Sequence, residues 1–350
     1  MKRRNIALTM LCIALAVHFG CNRPDNKEKV NQETPSENLN FQKTGSVKHF
    51  LPDMDKIIAP GELPEILAEG FEWTEGPLWL PEEQIVIFSD IPNNSIFQWS
   101  EKGGLKLYLK PSGYTDTIPR GGETGSNGLL LGPEGELVLC QHGDRRMARM
   151  KAPLSDPAAD FETIVDNWEG KQLNSPNDAV YSSSGVLYFT DPAYGMELGF
   201  EDPKREMDFT GVFKCTPEGE ITLLTDSMPA PNGIGLSPDE TKLYVANSGR
   251  GSSVWMEYSI TEKGLLAGGK IFYDASAASD TLNGNPDGLV VRYDGIIFAS
   301  GPGGVWIFNP DGEALGLILT GQATSNCTLD SDNQYLYITA DMYLMRIRLL

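Results

Sequence analysis

The chain has 350 residues, 40% of them hydrophobic and 22% charged, which is the composition of a folded protein of one large domain or two medium ones and excludes general disorder. Its 28 Lys and Arg against 48 Asp and Glu leave a formal charge of −20, which repels phosphate backbones and anionic headgroups and argues against nucleic-acid binding. Only three histidines occur, His18, His49 and His142, so a three-histidine zinc site is excluded and any metal has to rely mainly on oxygen ligands.

Lys2, Arg3 and Arg4 precede an apolar run over residues 6–17, too short to span a bilayer, followed by Phe19-Gly20-Cys21. This order resembles a bacterial lipoprotein signal, which implies that Cys21 is lipidated, becomes the new N-terminus and anchors the protein in the cell envelope, periplasmic or outer-membrane. The plain alternative is a secretion signal with an incidental cysteine. Residues 22–58 are rich in Asn, Lys, Glu, Gln, Pro and Ser with few apolar positions, and are expected to form a flexible polar tether. Of the remaining cysteines, Cys140 and Cys215 sit in strand-like apolar runs and Cys327 begins one. They are read as small buried hydrophobes, with at most one disulfide as the alternative.

From residue 59 onward the sequence repeats itself. Glu75-Gly-Pro-Leu-Trp-Leu, Asn127-Gly-Leu-Leu-Leu-Gly, Asn177-Asp-Ala-Val-Tyr-Ser, Asn232-Gly-Ile-Gly-Leu-Ser, Asp287-Gly-Leu-Val-Val-Arg and Asn326-Cys-Thr-Leu-Asp-Ser each open on an acid or amide. Each leads through a short turn, such as Pro133-Glu-Gly, Pro238-Asp-Glu or Tyr293-Asp-Gly, into a second β-rich run, which predicts a hairpin six times over. Two more strand-like runs follow most hairpins, and four strands at spacings of 39–55 residues are the dimensions of a propeller blade. The sixth unit stops after three strands, and Glu65–Glu69, ahead of the first unit, is placed to supply the fourth and remove the exposed edges. The reading is an all-β, six-bladed β-propeller over residues 59–350, its ring closed by an N-terminal strand, with almost no helix.

In a propeller the first strand of each blade lines the central channel, so Glu75, Asn127, Asn177, Asn232, Asp287 and Asn326 are expected in a ring at one mouth. The antiparallel second strands return to that mouth and bring Asp90, His142, Asp191, Asn247, Ser300 and Asp341 nearby. Asn-Gly and Asp-Gly also serve as simple turn formers, but glutamate is no turn specialist and Asn177 is followed by Asp. Carboxylates and amide oxygens converging on an axis call for a cation between them. The oxygen donors favour one hard divalent ion, calcium first, with magnesium, manganese, zinc or iron(II) after it.

The runs Glu75-Gly-Pro-Leu-Trp, Leu173-Asn-Ser-Pro-Asn-Asp, Tyr188-Phe-Thr-Asp-Pro-Ala-Tyr-Gly, Asn232-Gly-Ile-Gly-Leu-Ser-Pro-Asp and Asn285-Pro-Asp-Gly-Leu, in this order, resemble the bacterial gluconolactonase branch of the regucalcin/gluconolactonase (senescence marker protein-like) family. The resemblance covers essentially everything from Leu63 onward. It implies a metal-dependent hydrolase of sugar lactones, with metal ligands at Glu75, Asn177, Asn232 and Asp287, and Asp287 doubling as general base. It places substrate contacts at Asn127, His142, Asp191 and Tyr194. His142 as an idle surface imidazole, Asp191 as a turn cap and Tyr194 as ordinary packing remain open beside these roles. A cation polarising a lactone carbonyl and a carboxylate taking the proton of water would suffice without a serine nucleophile. Animal members carry an arginine two residues before the Asn-Asp pair, where this chain has Ser175, so their substrate contact there does not carry over.

Asp144-Arg-Arg-Met-Ala-Arg is read as the solvated face of a third strand, Gly301-Pro-Gly-Gly as a turn, and Trp73, Trp79, Trp99, Trp255 and Trp306 as packing between blades. The alternative to an enzyme is a non-catalytic envelope propeller that binds a glycan, a peptide or calcium. Membrane contact is expected only through the lipid on Cys21, and a monomer is expected, since nothing in the sequence asks for assembly.

Overall fold

The second strand of every repeat reads as a near-continuous apolar run because it is covered on both faces. In the computed structural model, which describes residues 40–249 and 251–350, Ile85–Asp90, Leu137–Gln141, Leu187–Asp191 and Ile297–Gly301 are buried at every position. Each pairs antiparallel with an inner strand and with a third strand, which pairs in turn with a fourth. The inner strands are Thr74–Leu80, Ser126–Leu131, Ala179–Tyr181, Pro231–Leu236, Leu289–Val291 and Thr324–Leu329, which define blades 1 to 6 in chain order. Between the inner and second strands the same turn position takes a left-handed backbone in all six blades, at Gln84, Gly135, Gly185, Glu240, Gly295 and Asn333.

The blades pack face to face, and an apolar cluster fills each seam between neighbours. Leu80, Ile87, Leu129 and Leu139 sit between blades 1 and 2, and Trp255, Ile297, Trp306 and Phe308 between blades 4 and 5. Blade 6 is completed as expected: Glu65–Glu69 pairs with Tyr343–Arg348, Leu344 opposite Ala68, and closes the ring. Helix is confined, among the described residues, to the four-residue Ser276–Ser279 and two 3-10 turns. Cys140, Cys215 and Cys327 are free and buried.

The segment 1–21 with Cys21, and the tether as far as residue 39, lie outside the described residues. From Phe41 the expectation of a tether reaching residue 58 is wrong. Gln42–Lys43 adds a fifth strand to blade 6, and Ser46–His49 adds one to blade 5 by pairing with Ala314–Leu319. The chain crosses between them at Gly45, where φ is +64° and an added Cβ would sit 1.9 Å from the Leu319 carbonyl oxygen. The 3-10 turn Pro52–Lys56 then inserts Met54, followed by Ile57 and Ile58, into the cluster between blades 5 and 6. Outermost strands are half exposed, so they can be polar and still pair, which is why composition suggested a tether.

Met54 is fully buried. Met54→Ala is expected to cost about 2–5 kcal/mol through lost transfer energy and a residual cavity. Urea unfolding of the chain from Phe41 onward checks this: the midpoint should fall with little change in slope, whereas an unchanged midpoint would show that this clip contributes nothing.

Candidate active site

At one mouth of the channel the blades leave a cavity of about 280 Å³. Glu75, Asn127, Asn177, Tyr194, Asn232 and Asp287 line it. Irregular pairing directs these side chains. The ladder slips between Glu75 and Leu78, Ser126 and Leu129, Pro231 and Ile234, and Thr324 and Asn326, and such bulges turn residues at a strand end off the sheet face. The following glycines are there for close approach between inner strands rather than for turns. A Cβ on Gly76 would lie 2.1 Å from the Asn127 carbonyl oxygen, and one on Gly233 2.2 Å from that of Asp287.

The two carboxylates of the ring are buried and disfavour each other's charge. Burial first, and then nearby Asp178 and Glu123, push Glu75 up to about 8, against hydrogen bonds from the Gly76 amide, at 3.0 Å, and from Asn326. Asp287 is held well above the usual carboxylate range, by burial and then by Glu75, Asp178 and Glu123. Asp287 Oδ1 and Asn127 Oδ1 are buried with no hydrogen-bond partner among the described residues. Asn232 donates its Nδ2 to Ser248 Oγ at 3.1 Å, and Ser248 donates to the Pro286 carbonyl at 2.6 Å, so Asn232 keeps its amide oxygen as an acceptor. Orphaned oxygens and mutually raised carboxyls are what a divalent cation relieves, and the donor set of carboxylates and amides suits a hard ion. Among the described residues no three His, Cys, Asp or Glu side chains converge as a metal-binding group. The ring offers only two carboxylates to an ion, and amide oxygens would supply the rest.

Two expected substrate contacts lie elsewhere. Asp191 is fully buried, its Oδ1 accepting from the Ser175 amide and its Oδ2 from the Asn174 amide, both at 2.8 Å. It does not line the cavity but holds the loop that leads into Asn177; burial pushes it up to about 7 against those two bonds. His142 is neither a surface imidazole nor part of the wall. Its ring is fully buried beneath Gly195, with Nδ1 3.1 Å from Glu123 Oε2. Tyr194 does face the cavity, its hydroxyl hydrogen-bonded to Ser248 and its ring edge-on to Phe200 with centroids 5.0 Å apart.

Arg145 corrects the reading of the basic run as a solvated face: it is buried, and its Nε donates to the carbonyls of Leu173 and Asn174 at 2.8 and 3.0 Å. The sequence reading also missed Trp73, Glu123, Ser248, Asn283 and Asn285 in the wall. Ser248 directly follows the second-strand end Asn247, and Asn285 is in a run quoted above, so both had a signal. Glu123 had none, because it lies on a connecting loop outside the repeat.

A family model described as the SMP-30/gluconolactonase/LRE-like region matches residues 73–341. A gluconolactonase of Zymomonas mobilis is 39% identical over 324 residues, 90% of this chain and 89% of that protein. Among solved structures, a Xanthomonas campestris gluconolactonase superposes with a TM-score of 0.74 at 27% identity, covering 88% of this chain and 97% of its own. The calcium-binding protein regucalcin of Agrobacterium tumefaciens shares the fold, with a TM-score of 0.60 at 17% identity over 81% of this chain and 93% of its own.

The raised carboxyls fix the sign of a pH effect. A carboxyl whose folded pKa exceeds its unfolded value contributes stability that is fully present below the unfolded value and is lost as pH rises through the folded one. For Glu75 that window runs from 4.5 to about 8, and for Asp191 from 3.8 to about 7. With divalent ions chelated, the melting temperature by scanning calorimetry is therefore expected to fall from pH 5 to pH 9, and Glu75→Gln to flatten the upper part of the curve. A flat wild-type profile would contradict the raised values.

Proposed function

The chain belongs to the SMP-30/gluconolactonase/LRE-like family, and on that premise we propose that it is a sugar-lactone hydrolase working at the channel mouth. The observation that carries the reading is the unpartnered, buried Asp287 Oδ1 in a polar cavity lined also by Glu75, Asn177 and Asn232. Glu75, Asn177, Asn232 and Asp287 would hold one divalent ion, calcium by the chemistry of the donors, with magnesium, manganese, zinc and iron(II) to be compared. When bound, the ion supplies Lewis-acid polarisation of the lactone carbonyl. Asp287 Oδ1 accepts a proton from the water whose oxygen bonds to the carbonyl carbon. The ring C–O bond then breaks, and the same proton passes to the ring oxygen, leaving the hydroxy acid. Asn127, Asn283 and Asn285 offer amide donors and acceptors to the substrate hydroxyls, and Trp73 and Tyr194 offer aromatic faces to its C–H surface. We also propose that Cys21 carries the lipid that anchors the protein in the cell envelope.

Hydrolysis of glucono-1,5-lactone, followed by acid release after chelation and metal replacement, tests the enzyme. Asp287→Asn is expected to lower kcat/KM by about 10²–10⁴, the usual contribution of a general base. A protein that binds a divalent ion yet turns over no lactone in a panel above the spontaneous rate would instead be a non-catalytic binding propeller. For the anchor, Cys21→Ser is expected to move the protein from the membrane to the soluble fraction, and a wild-type protein already soluble would refute lipidation.

A further inference from the structure

Glu123 is the one carboxylate of the cavity wall that belongs to no blade. It sits on the loop from residue 110 to 125 that joins blades 1 and 2, and that loop is rigidly held. Asn94 Oδ1 accepts the backbone amides of Ser112, Gly113 and Tyr114 at 3.0, 2.8 and 3.2 Å. Arg120 donates to the carbonyls of Gly121, Gly143 and Gly195, tying the loop to its neighbours in blades 2 and 3. Glycines flank Glu123 where backbone meets backbone: a Cβ on Gly122 would lie 2.9 Å from Met196 O, and one on Gly125 2.6 Å from Ile91 O.

The Glu123 side chain lines the cavity and is 37% exposed, and His142 places Nδ1 3.1 Å from its Oε2. Among the described residues neither ring nitrogen of His142 makes an aligned hydrogen bond, and its 3.1 Å approach to Glu123 is a close contact rather than such a bond. A fully buried imidazole without other partners needs a reason, and the position of Glu123 supplies one. Among the described residues no Lys or Arg lines the cavity, and Arg120 donates to three carbonyls. Such a carboxylate can accept hydrogen bonds from two hydroxyl groups, and it repels an anion.

We propose that Glu123, positioned by His142, selects neutral polyhydroxylated lactones, accepting hydrogen bonds from their ring hydroxyls and disfavouring phosphorylated ones. The proposal takes its substrate class from the lactone-hydrolase reading.

The test compares wild type, Glu123→Gln, His142→Gln and the double variant, all metal-loaded, on glucono-1,5-lactone, its 6-phosphate and δ-valerolactone, which has no hydroxyls. Loss of a charge-assisted hydrogen bond predicts that Glu123→Gln raises KM for gluconolactone about tenfold while kcat stays within about threefold. On δ-valerolactone kcat/KM should change by less than about threefold, and the preference against the 6-phosphate should shrink. His142→Gln should give the same KM-against-kcat split, with the double variant no worse than Glu123→Gln. A collapse of kcat on both unphosphorylated lactones would make Glu123 a base, and equal losses on both would make it merely structural; either overturns the proposal. Calorimetric binding of 1,5-anhydro-D-glucitol, which cannot be hydrolysed, separates the two readings. Binding that weakens about tenfold in Glu123→Gln keeps this inference standing even if no lactone is turned over, and unaltered or absent binding overturns it.

Discussion

Everything at the channel mouth depends on how closely the inner strands approach each other around the axis. Each seam between blades is stitched near that axis by a hydrogen bond to backbone. Ser89 donates to the Asn127 carbonyl, the Gly128 amide to Asn177, and Thr190 to Asn232. Ser248 donates to Pro286, Ser300 to Ser325, and Ser325 to Thr74, which closes the circle. Each bond is worth only about 1 kcal/mol net, but together they fix the spacing at which a Cβ cannot fit at Gly76 or Gly233. The hydrophobic clusters hold the blades in place, and the polar stitches decide where the inner-strand side chains converge.

Converging acids on an axis is electrostatically costly, and the structure concentrates that cost. Asp178 stands where blades 1, 2, 4 and 5 have glycine; its oxygens accept the Ala179 and Ile234 amides, at 2.9 and 3.4 Å, and burial still pushes it up to about 7. With Glu75 and Asp287 it makes three buried carboxyls around one channel, Asp178 disfavouring charge on the other two and Glu75 on Asp287. Sites of this kind persist only when the surrounding packing over-determines them, and a propeller does so by assigning each acid to a different blade.

That division explains what could be read from the sequence. Six repeats, the turn positions and the closing strand were legible because each blade must bury its second strand on both faces, and the pattern recurs. Five of the six ring positions were legible for the same reason, while the sixth, Asn326, lines a second cavity with Gly76 and Asp178 instead. What failed was the assumption that equivalent positions do equivalent work. Asp191 and His142 both end second strands, yet Asp191 spends both oxygens on the loop before Asn177, and His142 backs onto Glu123. Arg145 follows Asp144 in an unremarkable basic run, and only the path of the loop through Leu173 and Asn174 makes it a buried anchor. Residues 41–58 were misread because a fifth strand needs few apolar side chains to pair along an edge.

The axis and the rim therefore carry separate tasks. Axis positions are dictated by ring geometry, so their chemistry follows from the fold and is read from the repeat. Rim positions lie on connections free to differ in length, and there the walls facing a substrate are made. Ser175 illustrates the separation: where animal members of the family carry an arginine, this serine donates to the Pro192 carbonyl at 2.7 Å and accepts the Gly195 amide at 3.0 Å. It is fully buried and spent within its own loop, so it cannot take over a guanidinium's role toward a substrate. A polar group of the wall comes instead from the blade 1 to blade 2 connection, where Arg120 donates to the Gly195 carbonyl and Glu123 lines the cavity. The cavity wall thus carries a carboxylate from the rim and, among the described residues, no Lys or Arg. Specificity in this fold can change through the blade 1 to blade 2 connection, because none of the six stitches that hold the axis runs through residues 110–125.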